Sequence, residues 1–183
     1  MRYDTAITKA WDELLDLHPA ENLSVTFLGN EFSIDTVKRK VISVLTNDTA
    51  KDYETILILH YLASEIKGLP EVSGEWLSFK ELSAIEGYQP VFRKRVIERI
   101  IKKYTADPDA LFSVLDRIPG KKIQQADIAV VLEVFDGVPL LIELWKADEE
   151  FSPEANVLFD KSVTGIFCIE DIIVLAELTV GKL

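Results

Sequence analysis

Tyr3, Ile7, Ala10, Trp11 and Leu14 recur at helical spacing, which predicts an amphipathic helix over residues 4 to 17, ended by His18-Pro19. The period then shortens. Ser24-Val-Thr-Phe-Leu and Glu31-Phe-Ser-Ile-Asp alternate polar and apolar, and Gly29-Asn30 between them supplies a two-residue turn. With Lys40-Val-Ile-Ser-Val they make a small antiparallel meander. Thr49-Ala-Lys-Asp52 resembles a capping box, and residues 53 to 66 behind it are apolar nearly all round, as expected of a buried central helix.

An irregular connection with two glycines, a proline and Trp76 follows, over residues 68 to 82. After Gln89-Pro90 comes a helix with Phe92, Val96, Ile97, Ile100, Ile101 and Tyr104 on one face and Arg95, Arg99, Lys102 and Lys103 on the other. Asp107-Pro108 reads as an N-cap with proline at the first helical position, and Pro119-Gly120 as a stop. Residues 126 to 135 and 138 to 146 form a hairpin across Asp136-Gly137, with Pro139 marking an edge or a bulge. Asp160 can cap a short helix, and Glu170-Asp171 opens the last one, whose apolar body runs from 172 to 180. The class is α+β: an N-terminal meander and a C-terminal hairpin packed with about five to six helices. One domain spans 1–183, or two tightly packed halves divide it at 1–70 and 71–183.

Charge narrows the function. A formal net charge of -11, from 31 acids against 20 bases, argues against general nucleic-acid binding, which needs positive charge to release counterions. The one cysteine, Cys168, excludes an internal disulfide and a four-thiolate metal centre. With no apolar leader and no membrane-length apolar run, a cytoplasmic protein is expected. P-loop and Gly-x-Gly-x-x-Gly cradles are missing.

Three candidate surfaces remain. The acidic stretch 148–160 offers Asp148, Glu150, Asn156 and Asp160 as hard oxygen ligands for magnesium or calcium, against the alternative of a solvated loop with Asp160 as a helix cap. Trp76 and Trp145 could wall a small-molecule pocket. Arg93 and Arg95, on the basic helix, could hold an anionic ligand or an acidic partner. His60 reads as a buried histidine with a hydrogen-bond partner, and Cys168, just before a helix, as a structural thiol.

Seven or so landmarks carry a resemblance: Tyr3-Asp-Thr-Ala-Ile-Thr-Lys-Ala-Trp, Phe27-Leu-Gly, Ile58-Leu-His-Tyr-Leu, Gly74-Glu-Trp-Leu-Ser-Phe-Lys-Glu-Leu, Phe92-Arg-Lys-Arg, Leu144-Trp-Lys-Ala-Asp-Glu-Glu-Phe and Ala155-Asn-Val-Leu-Phe-Asp, with Glu170-Asp behind them. In this order they resemble an uncharacterised family of anaerobic bacteria and archaea, a domain of unknown function sometimes fused to a ferredoxin-like or corrinoid-protein-like iron–sulfur domain. The resemblance implies an accessory role beside a redox or corrinoid protein of one-carbon metabolism, with any cluster supplied by that partner; since the sequence holds no recognisable catalytic set, a binding domain without catalytic activity or a cofactor of its own is expected. The competing expectation is a metal-assisted enzyme acting on a small anionic substrate at 148–160.

Overall fold

The computed structural model describes residues 3–82 and 86–183, with Glu86 described by its backbone alone. The first helix, α1, runs Asp4–Leu15 and buries Ala10, Trp11 and Leu14. It stops where His18, at φ 51°, precedes Pro19. Strands β1 (Asn22–Phe27), β2 (Asn30–Asp35) and β3 (Lys40–Ser43) form the expected meander, with β2 central. Its first turn is Leu28-Gly29 rather than Gly29-Asn30, because Phe27 faces Asn30 in the register. Both turn residues have positive φ, 49° and 74°, the twist a two-residue hairpin favours.

Helix α2 spans Asp52–Lys67 and buries seven residues, among them Leu57, Ile58, Leu59, Tyr61 and Leu62. The capping box expected at Thr49 is displaced: Thr49 bridges to Ile42, and the Glu54 carboxylate accepts from the Lys51 N–H at 3.0 Å instead. Strand β4 (Trp76–Ser78) leads into the single turn α3 (Phe79–Leu82). The basic helix is continuous but not uniform. It opens as α4 (Gln89–Phe92), widens into a π turn over Arg93–Ile97 and closes as α5 (Glu98–Tyr104). The helix expected after Asp107-Pro108 is a 3-10 segment, Pro108–Asp116, and Asp107 makes no side-chain cap bond to it.

The C-terminal hairpin is the middle of something larger. Strands β5 (Gly120–Lys122), β6 (Ile128–Phe135), β7 (Val138–Trp145) and β8 (Glu154–Asp160) join β4 in an antiparallel sheet ordered β4-β8-β7-β6-β5. Pro139 therefore sits in a central strand, opposite a bulge between Glu133 and Phe135. The second half of the acidic stretch is strand β8, not loop: Ala155, Val157 and Phe159 are buried in alternation. The sheet's inner face also buries Val130, Leu132, Leu140 and Ile142, and α6 (Ile169–Lys182) contributes Ile172, Leu175, Ala176 and Val180 to the core.

Meander and sheet share that core. The rings of Phe27, Phe135 and Tyr61 stack in sequence, with centroids 4.3 and 4.4 Å apart, and the Leu28 N–H donates to the Val134 carbonyl at 2.9 Å. One contiguous apolar cluster includes residues on both sides of position 70. The fold is α+β, with six α-helices, a three-strand antiparallel meander and a five-strand antiparallel sheet among the described residues.

Candidate binding cleft

The short strand β4 covers only part of its neighbour. Trp76, Leu77 and Ser78 pair with Asp160, Phe159 and Leu158, after which the chain turns away into α3. On that side, Glu154 to Val157 of β8 have no strand partner among the described residues. A cleft of about 600 Å³ lies against this half-edge. Its floor includes Phe79 and Phe92, stacked at 4.2 Å and 3° between ring planes, together with Ala155 and Val157.

Polar groups gather at the rim. Gln89, in the first turn of α4, carries a buried amide Nε2 with no hydrogen-bond partner, although buried donors are ordinarily satisfied. Lys80 has no acidic partner among the described residues. Arg93 lies 3.7 Å from the Glu154 carboxylate, with both side chains 56% exposed, so the pair is worth at most about 1 kcal/mol and yields easily to another anion. Asn156 also lines the cleft, its Nδ2 donating to the buried Glu143 at 3.4 Å.

Of the residues singled out in the sequence, Arg93 and Asn156 meet here. The others do not join them. Arg95 points from the basic helix to Glu177 of α6, at 3.1 Å. Trp76 and Trp145 face opposite ends of β8, paired with Asp160 and Glu154, which puts them about 20 Å apart along the strand and corrects the expectation of a shared pocket. The metal set is dispersed in the same way. Asp148 Oδ1 is engaged by the N–H groups of Glu150 and Phe151, at 2.8 and 2.7 Å, in a tight turn. Asp160, 1% exposed at the far end of β8, accepts from Ser73 N and Oγ, Gly74 N and Ser162 N at 2.6–3.0 Å. Burial opposes its charge, but the bonds from Ser162 and Ser73 outweigh it and bring the carboxyl down to about 2. Asp160 thus caps the 3-10 turn Lys161–Gly165 and clamps the 68–75 connection. Among the described residues, no group of three or more His, Cys, Asp and Glu side chains is placed to hold a metal ion.

A second polar cluster joins α2 to α6. One carboxylate oxygen of Asp171 lies 2.8 Å from His60 Nδ1 and accepts from the Cys168 thiol at 3.2 Å. The Asp171 bond raises the His60 pKa against the opposing effect of burial. Partial burial, chiefly, pushes the Cys168 thiol up to about 11; the Asp171 N–H opposes the rise, and the Asp171 carboxylate adds to it. His60 has the partner expected of a buried histidine, and the thiol faces a carboxylate rather than the imidazole that would activate it.

Gln89, β8 and the Asp171 cluster escaped sequence reasoning. Only β8 left a signal, in the alternation of Ala155, Val157 and Phe159. Comparison with known proteins adds the family: the model for a domain of unknown function, DUF3786, matches residues 14–182. The chain belongs to this family. No curated protein and no solved structure matches this DUF3786 chain. No helix among its described residues is long and apolar enough to cross a membrane.

Proposed function

We propose that this DUF3786 domain is a non-catalytic binding module that holds an extended acidic segment of a partner protein along the open half of β8. The observation that carries the reading is the half-edge itself, flanked by an apolar floor and by donors without partners. A segment added there would extend the sheet with main-chain hydrogen bonds, as in β-augmentation. Its side chains supply selectivity: an apolar residue on Phe79 and Phe92, a carboxylate between Lys80 and Arg93, and a carbonyl or carboxylate on the Gln89 amide. The family resemblance supplies the partner class, a corrinoid or iron–sulfur redox protein of anaerobic metabolism.

Affinity capture from an anaerobic extract tests the reading when wild type is run beside Lys80→Glu/Arg93→Glu. A redox or corrinoid protein retained by wild type and lost by the charge-reversed variant is the expected result. Amide resonances of Ala155 to Val157 should shift when the partner's bound segment is added as a peptide. Equal retention by both forms, or shifts confined to other strands, overturns the reading.

A further inference from the structure

The same basic helix sends its next arginines to a different place. Arg95, in the π turn, and Arg99, one turn further on in α5, enter a groove of about 560 Å³, bounded by the start of α2 and the end of α6. Like charges four apart on a helix destabilise it by a few tenths of a kcal/mol, and here they stand together. Two more cations reach the groove, Lys51 from the start of α2 and Lys182 from the end of α6. The acids that line it are already engaged. Glu177 is bound to Arg95 at 3.1 Å, and Glu54 caps the Lys51 N–H at 3.0 Å.

Among the described residues, neither Arg99 nor Lys182 has a carboxylate partner: the Arg99 guanidinium donates one long hydrogen bond, to the Arg95 carbonyl at 3.5 Å. In a chain of net charge -11, where acids outnumber bases, such local positive excess stands out. The groove also has organic walls: Tyr3, Tyr53, Val174 and Leu178. It is too large for a bare inorganic anion and offers rings against which a planar body can lie.

We infer that this groove binds a phosphate monoester with a small ring-bearing body. Its phosphate lies between Arg99 and Lys182, where a guanidinium can donate two parallel bonds, and its ring lies along Tyr53 and Leu178. This site is independent of the β8 cleft, since its cations and walls come from other side chains.

Calorimetric titration with phenyl phosphate tests it, with inorganic phosphate and benzoate as comparison probes. Saturable binding of phenyl phosphate is expected, tighter than either comparison probe, weakened about tenfold or more in Arg99→Ala and in Lys182→Ala. Arg93→Ala should stay within about twofold of wild type, which separates the groove from the β8 cleft. Both groove side chains are exposed, so the variants should keep the wild-type melting curve. No saturable binding, equal binding of all three probes, or an Arg93→Ala loss matching that of Arg99→Ala overturns the inference. So does tighter, Arg99-dependent binding of phosphatidic acid vesicles or of an RNA oligomer, which would make the occupant a membrane or a nucleic acid.

Discussion

Two buried carboxylates, Asp160 and Asp171, show how one residue type serves opposite ends. Asp160 is satisfied by four donors and held at about 2, below its ordinary value. Its stabilisation is therefore complete above about pH 4 and lost as pH falls toward 2, in total about 2 kcal/mol. Asp160→Ala should lower the urea midpoint at pH 7 by an amount equivalent to about 2–3 kcal/mol, and the difference from wild type should shrink in acid. Asp171 acts through His60, whose pKa is raised. That contribution is fully present below about pH 6.5 and fades as pH rises through the folded value, so wild type and His60→Gln should differ in melting temperature at pH 6 and converge by pH 9. Cys168, at about 11, should react with iodoacetamide at pH 7.5 roughly a hundredfold more slowly than an unperturbed thiol, timed by mass spectrometry. A rate equal to that of free cysteine would refute the raised pKa of this thiol.

Among the elements, hairpins and long helices follow from local pattern, and their exceptions have local causes. Leu28-Gly29 replaces Gly29-Asn30 because the turn must present Gly29, not a side chain, to the Arg117 backbone: a Cβ at Gly29 would overlap the Arg117 carbonyl oxygen. Gly29→Ala should then cost about 2 kcal/mol or more through this clash and its positive φ, measured by chemical denaturation. The π turn at Arg93–Ile97 contains no glycine or proline, and nothing in the sequence explains it. It coincides with the point where Arg93 goes to β8 and Arg95 to α6. Strand β8 was legible in its alternating apolar residues but was masked by the acids around it. Strands β4 and β5, three residues each, are too short for any period to register.

At the scale of the whole molecule, the Phe27–Phe135–Tyr61 stack couples the meander to the large sheet through α2. Unfolding followed by far-ultraviolet circular dichroism and by tryptophan fluorescence should give coincident transitions, since Trp11 lies in the first half and Trp76 and Trp145 in the second. Phe135→Ala should destabilise by about 3–5 kcal/mol and keep the transitions coincident. Separated transitions would show that the two halves fold as independent units.

By itself the sequence determined the α+β class, the meander, the central hairpin, α1, α2 and α6, because each rests on periods or caps contained within a short window of chain; for Asp160 it offered a cap beside a metal ligand, and the Ser162 N–H on its carboxylate decided for the cap. It also named Arg93 and Asn156. Only the tertiary structure decided that these two share a cleft while Trp76 and Trp145 stand at opposite ends of one strand, and that Asp148 and Asp160 turn to different backbones. Such convergence depends on strand order and register between distant segments, 87 residues apart at Ser73 and Asp160, and no local pattern encodes it.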